Sequence, residues 1–213
     1  MVRKSRTGIC CLKLKRFIYL ISPKKIDAGF YFVLKKVLAS KKVEFFQLRL
    51  KKTSKNKTIK IAKKIKIITD KFKVKLIIND NPKIAKKVKA AGCHVGQSDV
   101  PFSFAKKILK KKIVGITCHG SGRLVDRAIK DKVDYIAIGS FFKSNLKPGA
   151  KRASLKIIKG TRKKTRISIV VIGGINNKNY KRLIDLGANY IAISSFIWNN
   201  PLLKPEIAIK RFK

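Results

Sequence analysis

The sequence predicts a single-domain α/β protein with a (β/α)8 barrel, or TIM-barrel, fold. Eight short apolar runs rich in β-branched residues recur along the chain, and Lys-rich segments with helical spacing separate them. Near-continuous apolarity is typical of parallel strands that are buried on both faces. Eight such strands alternating with helices in 213 residues favour a closed barrel. A doubly wound open sheet is the alternative.

The predicted strands begin after a basic N-terminal extension at residues 1–16, so the barrel domain is predicted to span residues 17–213. In chain order, the eight runs are Phe17–Ile21, Val43–Leu48, Lys75–Ile78, Cys93–Val95, Ile113–Ile116, Tyr135–Ile138, Ile169–Ile172 and Tyr190–Ile193.

Segments between these runs carry apolar residues on one helical stripe and lysines on the other side. The clearest stripes are Ile59, Ala62, Ile65, Ile68 and Phe72; then Ile84, Ala85, Val88 and Ala91; then Tyr180, Leu183, Ile184 and Leu186. Gly92 and Gly187 are predicted to end helices before the next strand. A last, weakly patterned helix is predicted around residues 204–212.

The charge of the chain is extreme. Lys and Arg number 54 against 10 Asp and Glu, which gives a formal net charge of +44. Such a chain attracts polyanions, so a basic nucleic-acid-binding protein on a barrel scaffold is one hypothesis. The lysines, however, follow helical spacing on solvent faces and do not form one patch interleaved with aromatic residues. Specific nucleic-acid binding is therefore not expected.

The composition also indicates the cellular compartment expected for the protein. No stretch approaches the roughly 18 apolar residues of a membrane helix, and the N-terminal segment lacks the apolar core of a secretory signal. Four cysteines occur without CxxC spacing, at Cys10, Cys11, Cys93 and Cys118, so neither a disulfide framework nor a zinc site is expected. A reducing cytoplasm is the expected location.

Polar residues collect at the carboxyl ends of the predicted strands, which is the catalytic face of a barrel. In chain order they are Gln47, Arg49 and Lys51; Asn79 and Asp80; His94, Gln97 and Asp99; Thr117 and His119; Gly139, Ser140, Ser144 and Lys147; Gly173 and Gly174; Ser194 and Ser195.

Asp80 and Asp99 follow neighbouring strands and supply the hard oxygen ligands that Mg²⁺ prefers. The alternative for Asp80 is a helix N-cap, because Asp-Asn-Pro precedes a helical run. Asp99 lies before Val-Pro and is also compatible with a turn residue.

The Gly173-Gly174 pair and Ser194-Ser195 follow the seventh and eighth strands, where barrels often bind phosphate. The alternative is a plain tight turn. Arg49, with Lys51 and Lys147, is a candidate for further anion contacts. His94 is predicted to be a packed, hydrogen-bonded residue, whereas His119 is open between catalytic and loop roles. The residues alone predict a barrel enzyme with Mg²⁺ and at least one phosphate site.

Seven motifs in order make the chain similar to the thiamine phosphate synthase family and its thiazole tautomerase relatives. They are Gln47–Lys51, Ile77–Asp80, Gly92–Asp99, Val114–His119, Asp134–Gly139, Ile172–Ile175 and Gly187–Ser195, and the resemblance covers residues 17–198. The resemblance implies a Mg²⁺-dependent (β/α)8 transferase of thiamine biosynthesis. Its members join hydroxymethylpyrimidine diphosphate to hydroxyethylthiazole phosphate and release pyrophosphate.

The resemblance also assigns roles to residues. The sets are Gln47, Arg49, Lys51 and Asn79 for the pyrimidine diphosphate; Asp80 and Asp99 for Mg²⁺; Thr117, in place of the usual Ser, and His119 for catalysis; Lys147 for the diphosphate; Ser144, Asn145 and Leu146 in the loop that faces the substrates; and Gly174, Ser194 and Ser195 for the thiazole phosphate.

Several positions depart from the family pattern. Leu50 replaces Glu, Ser140 replaces Pro, and Leu146 replaces a Thr whose hydroxyl should face the thiazole phosphate. The missing hydroxyl is expected to weaken affinity by up to about tenfold, and a barrel with reduced activity is a further alternative. The tautomerase branch needs neither Mg²⁺ nor a diphosphate pocket, so the retained carboxylates and cations favour the synthase. The sequence does not predict the oligomeric state.

Overall fold

The fold was described from a computed structural model, which covers residues 16–143, 149 and 151–213. Eight parallel strands close into a barrel in sequential order, and the first strand pairs with the last. The strands are β1 (Ile18–Ile21), β2 (Val43–Leu48), β3 (Lys75–Asn79), β4 (Gly92–Val95), β5 (Ile113–His119), β6 (Tyr135–Gly139), β7 (Ser168–Ile172) and β8 (Tyr190–Ile193). The predicted single-domain barrel is confirmed, and the open-sheet alternative is wrong.

Helices follow the strands around the outside of the barrel. They are α1 (Phe30–Leu38), α2 (Lys55–Lys71), α3 (Pro82–Lys87), α4 (Phe102–Leu109), α5 (Gly122–Lys130), α6 (Lys156–Lys164), α7 (Tyr180–Asp185), α8 (Ser195–Trp198) and α9 (Pro205–Ala208), with a 3-10 turn at Ile209–Arg211. No helix among the described residues is long and apolar enough to cross a membrane.

Alternation along each strand builds two apolar layers. Outward residues such as Ile18 and Leu20 pack under the helices in the main core. Inward residues fill the barrel with a smaller cluster: Tyr19, Ile21, Phe45, Ile77, Tyr135, Ala137, Val170 and Ala192. Both faces are buried, which explains why each strand reads as a continuous apolar run.

Two predicted helix ends have different outcomes. Gly187 follows α7 with a φ of 107°, a backbone conformation that favours glycine, so that prediction is confirmed. Gly92 does not end a helix: α3 stops at Lys87, and Gly92 is the first residue of β4. A Cβ on Gly92 would lie 2.0 Å from the carbonyl oxygen of Ile113, so close strand packing accounts for this glycine.

Residues 1–15 lie outside the described residues, and the boundary of the N-terminal extension stays a prediction. Arg16, which the prediction placed in that extension, donates from its guanidinium to the carbonyl oxygens of Phe72 and Lys73 at 3.3 Å and 2.6 Å. The chain is therefore anchored beside the end of α2 just before β1 begins.

Candidate active site

The carboxyl ends of β3 and β4 bring two carboxylates together. Asp80 directly follows β3, and Asp99 lies in the loop after β4, where it accepts a hydrogen bond from the Gly96 N–H at 2.7 Å. The Asp80 and Asp99 carboxyl groups are close enough to shift each other's pKa. Lys51 Nζ lies 3.6 Å from Asp80 Oδ2. The structure thus joins three residues that the sequence predicted for one rim.

The alternative in which Asp80 caps a helix is wrong. The N-cap of α3 is Asn81, whose side-chain oxygen accepts from the Ile84 N–H at 3.0 Å. Asp80 instead adopts a φ of 62°, and its N–H donates to the His94 carbonyl oxygen at 2.8 Å. This backbone bond to β4 leaves the Asp80 carboxylate free to face Asp99.

The two carboxyl groups differ in acidity. The pKa of Asp80 is raised to about 6 by burial first and then by the neighbouring Asp99, while the charges of Lys51 and Arg49 oppose the rise. Burial would also raise the pKa of Asp99, but its interactions with Asp80 and with the Gly96 N–H lower it overall. Two carboxylates this close repel each other, so the pair binds a proton or another cation more readily than a lone carboxylate does.

This donor set fits Mg²⁺. Two adjacent carboxylates supply hard oxygen ligands, and a divalent cation would relieve the repulsion between them. Within the described residues, no cluster of three or more His, Cys, Asp or Glu side chains could hold a metal ion. A cation bound by two carboxylates keeps open positions for water and substrate phosphate, as Mg²⁺ sites usually do.

The polar residues deeper in the barrel are joined by hydrogen bonds. Gln47 is 3% exposed, and its Nε2 donates to the Tyr19 hydroxyl at 3.1 Å. His94 is 9% exposed; its Nδ1 lies 2.9 Å from the Tyr135 hydroxyl and its Nε2 lies 2.8 Å from Thr117 Oγ1. The prediction that His94 is a packed, hydrogen-bonded residue is confirmed.

Sequence reasoning missed Tyr19 and Tyr135, because each reads as an apolar strand residue. Their hydroxyls lie 2.8 Å apart inside the barrel, and burial raises the pKa of both above the ordinary range of tyrosine. Burial likewise lowers the pKa of His94 to about 4, with Asp99 opposing and Arg49 adding to the shift. All three side chains are therefore neutral near pH 7.

At the end of β5, the adjacent residues Cys118 and His119 lie in different surroundings. His119 is exposed at the rim with a φ of 51°, whereas Cys118 is fully buried and its Sγ lies 3.3 Å from the Leu124 carbonyl oxygen. Burial raises the pKa of the Cys118 and Cys93 thiols to about 12. These buried thiols are not suited to act as nucleophiles.

The glycine pair after β7 is packed against the segment after β6. Gly173 and Gly174 have φ values of 106° and 61°. A Cβ on Gly173 would lie 1.9 Å from Ser140 Oγ, and a Cβ on Gly174 would lie 2.4 Å from the Lys143 carbonyl oxygen. Both the turn and the close approach require glycine, whether or not an anion binds there.

The serines after β8 lie at the same rim. Ser194 precedes α8, and its hydroxyl donates to the Ser22 carbonyl oxygen at 3.3 Å. Ser22 in turn accepts from the Arg49 N–H at 3.0 Å. These bonds tie the ends of β1, β2 and β8 together. Ser195 is the first residue of α8, whose Ile197 and Trp198 N–H groups donate to the Ser194 carbonyl oxygen at 2.9 Å and 3.0 Å.

The other predicted residues have mixed outcomes. Asn79, the last residue of β3, is half-buried at the rim beside Asp80, and Arg49 is half-buried after β2. The predicted residues Ser144, Asn145, Leu146 and Lys147 lie outside the described residues.

A cavity of about 500 Å³ adjoins this rim but is not its centre. It lies between α4 and α5, over Ile116 and Leu124, and meets the rim only at Asp99 and its neighbours Gly96 and Gln97. Its two cations, Lys106 and Arg127, are paired with Asp134 and Asp131, away from the Asp80–Asp99 pair. The charged groups place the candidate site at the barrel mouth instead.

Comparisons with known proteins decide the family. A family model described as thiamine monophosphate synthase matches residues 18–197. The chain belongs to this family. A thiamine-phosphate synthase from Pelagibacter ubique is 53% identical over 93% of this chain and 97% of the relative. One from Clostridium tetani is 37% identical over 84% of this chain and 87% of the relative.

The family's fold is also found among solved structures. Thiamine phosphate pyrophosphorylase from Pyrococcus furiosus superposes with a TM-score of 0.83 over 93% of this chain and 94% of that one, at 23% identity. That likeness supports the barrel fold, while the family membership agrees with the resemblance drawn from the motifs.

Proposed function

We propose that this chain is a thiamine phosphate synthase, which joins hydroxymethylpyrimidine diphosphate to hydroxyethylthiazole phosphate and releases pyrophosphate. The observation that carries this proposal is the 53% identity to a thiamine-phosphate synthase over nearly the whole of both chains. The carboxylate pair at the barrel mouth, with Lys51 beside it, supports the same reaction because a diphosphate substrate needs cationic neutralisation.

The chemistry requires one bond to break and one to form. The methylene C–O bond breaks with its electron pair moving to the pyrophosphate, and the aminopyrimidine stabilises the positive charge left on the methylene carbon. The thiazole nitrogen then donates its electron pair to that carbon. Little acid–base work is needed, so positioning and electrostatics carry the catalysis.

The residues at the mouth have separate roles in this proposal. Asp80 and Asp99 would hold Mg²⁺, which when bound supplies positive charge to the leaving diphosphate oxygens. Arg49, Lys51 and Lys147 would contact the diphosphate as cationic donors. Gln47, Asn79 and Thr117 would orient the pyrimidine, and His119 lies on the same rim. The thiazole phosphate would lie against Gly174, Ser194, Ser195 and the loop of Ser144, Asn145 and Leu146.

The test is a coupled synthase assay over a range of Mg²⁺ concentrations. Asp80→Asn and Asp99→Asn are each expected to raise the Mg²⁺ concentration for half-maximal rate by about tenfold or more, because each removes one charged ligand. Asp126→Asn is the matched control: Asp126 is an exposed carboxylate on α5 that pairs with Lys164 at 2.7 Å. If both rim variants matched the parent at limiting Mg²⁺, the metal assignment would be wrong.

The same assay separates the synthase from the tautomerase. A synthase consumes the pyrimidine diphosphate and forms thiamine phosphate. Isomerisation of the thiazole alone, without Mg²⁺ and lost in a His119→Ala variant, would contradict the proposed reaction while leaving the family membership unchanged.

A further inference from the structure

A chain of hydrogen bonds crosses the interior of the barrel. It runs from Gln47 on β2 to Tyr19 on β1, Tyr135 on β6, His94 on β4 and Thr117 on β5, and each link is 2.8–3.1 Å long. The first four side chains are at most 9% exposed, whereas Thr117 is half-buried. The chain therefore starts inside the barrel and reaches the mouth at Thr117.

One direction of donation satisfies the first two links. The Gln47 Nε2 amide donates to the Tyr19 oxygen, which leaves the single Tyr19 hydrogen to donate onward. The Tyr135 oxygen lies 2.8 Å away, in position to accept it, and we assign the bond in this direction. Burial keeps both hydroxyls protonated, so each tyrosine can accept one hydrogen bond and donate its single hydrogen in the next.

The direction then continues through the imidazole. Tyr135 accepts from Tyr19, so its own hydrogen donates to His94 Nδ1. A neutral histidine with an accepting Nδ1 carries its hydrogen on Nε2. That hydrogen donates to Thr117 Oγ1, at 2.8 Å. The Thr117 oxygen is thus occupied as an acceptor, and its own hydrogen is left to donate elsewhere.

We infer that Tyr135 and His94 are positioning residues, which hold the Thr117 hydroxyl so that its hydrogen is directed toward an acceptor of the substrate at the barrel mouth. This inference rests on the proposed synthase function. It assigns to two buried residues the orientation of a group that touches the substrate. It also accounts for a polar chain across an interior that apolar side chains otherwise fill.

The surroundings of Tyr135 hold its hydroxyl in place. Its ring is stacked on the His94 ring at 5.6 Å with an interplanar angle of 11°, and it meets the Tyr19 ring edge-on at 5.6 Å. A Cβ on Gly115 would lie 2.0 Å from Tyr135 Cζ, so the ring occupies space that only glycine leaves open. A side chain confined in this way loses little conformational entropy in keeping both hydrogen bonds.

The tautomer of His94 is the first test, and it needs neither substrate nor a variant. The chain has two histidines, and a long-range ¹H–¹⁵N correlation spectrum of the full chain reads both. A His119→Gln spectrum assigns them. We expect the His94 hydrogen on Nε2, and a hydrogen on Nδ1 would overturn the inference.

The second test compares three Tyr→Phe variants in the synthase assay. Tyr135→Phe breaks the chain next to His94, so we expect kcat to fall about tenfold with little change in KM, and the Nε2 tautomer to lose its preference. Tyr19→Phe keeps the Tyr135 hydroxyl beside His94 but removes the bond that sets its direction, so kcat should fall less than in Tyr135→Phe and the preference for the Nε2 tautomer should weaken. Tyr190→Phe is the matched control, because Tyr190 packs in the same interior cluster outside the hydrogen-bond chain.

The outcomes separate the inference from the proposed function. Parental kcat in Tyr135→Phe, or an equal fall in Tyr190→Phe, would overturn the positioning role. A parent chain without synthase activity would overturn the proposed function and with it the role of the Thr117 hydrogen.

Discussion

Gly115→Ala should strongly destabilise the barrel interior. Gly115 lies on β5 opposite Tyr135 on β6, and an added Cβ would lie 2.0–2.3 Å from three atoms of the Tyr135 ring. Because the ring is enclosed by Tyr19 and His94, it cannot move without breaking hydrogen bonds at 2.8 Å and 2.9 Å.

Two costs add in this variant. Overpacking costs about 1–3 kcal/mol, and a buried hydroxyl that loses its partners costs about 1–3 kcal/mol more. We therefore expect the free energy of unfolding to fall by about 2–6 kcal/mol. For a chain of this length, that is a decrease in Tm of roughly 4–24 °C.

Urea unfolding followed by tryptophan fluorescence measures the loss. The chain has one tryptophan, Trp198, which packs on Phe30 and donates from its indole N–H to the Ile21 carbonyl oxygen at 2.6 Å. Gly160→Ala on α6 is the control, because a Cβ there meets nothing within 4 Å. It should stabilise the chain by about 0.5–1 kcal/mol. If Gly115→Ala unfolded within about 0.5 kcal/mol of the parent, the steric argument would be wrong.

Three further predictions follow from charge and backbone geometry. Lys73 follows α2 with a φ of 54°, so Lys73→Gly should raise the free energy of unfolding by about 0.5–1 kcal/mol in urea titrations, whereas Lys63→Gly inside α2 should lower it by about 1 kcal/mol; equal effects would contradict the backbone argument. Burial lowers the pKa of His94 from 6.5 to about 4, so the unfolded chain takes up a proton on this histidine at a higher pH than the folded chain does. As the pH falls from 6.5 to about 4, the free energy of unfolding of the parent should therefore decrease by about 3 kcal/mol. His94→Gln should remove this part of the pH dependence, and an unchanged slope would refute it. Because the protein carries a net charge of +44, it should bind unrelated DNA duplexes with equal affinity at low salt. In fluorescence anisotropy, that affinity should fall about a thousandfold or more between roughly 50 and 200 mM salt. Salt-resistant, sequence-selective binding would favour a nucleic-acid function.

The strands were predictable because burial on both faces leaves a strong local signal. All eight predicted runs correspond to strands of the barrel. β5 extends three residues past its predicted end, to His119, because Thr117 and His119 still pair with β6 across an irregularity in the register. Polar residues at a strand end do not reveal where pairing stops, so periodicity sets the number of strands better than their ends.

Helix ends were less predictable. The predicted stripe of Ile84, Ala85, Val88 and Ala91 reaches Ala91, but α3 ends at Lys87. Val88 is only 5% exposed although it follows the helix, and Lys89 has a φ of 53°. Apolar residues beyond a helix still face the core when the chain turns back under it. The pattern therefore persists after the hydrogen bonds have stopped.

The sequence predicted which residues belong to the candidate site better than it predicted the hydrogen bonds among them. Strand ends and motifs placed Asp80, Asp99 and Thr117 on one rim. The tyrosines beneath them were missed, because Tyr19 and Tyr135 are 116 residues apart and each reads as an apolar strand residue. Only closure of the barrel brings β1 and β6 near enough for their hydroxyls to meet.

The placement of the acidic residues is the strongest physical argument for a functional carboxylate pair. The chain has ten acids among 54 cations, so every carboxylate could face a lysine or arginine. Six of them do so on the outer surface: Glu44, Asp70, Asp126, Asp131, Asp134 and Glu206. Asp80 and Asp99 lie next to each other at the barrel mouth, with Lys51 3.6 Å from Asp80, and burial together with the neighbouring Asp99 raises the pKa of Asp80 to about 6. Stability alone favours separating two acids in such a basic chain. A site that needs two oxygen ligands beside a bound diphosphate explains why they are adjacent.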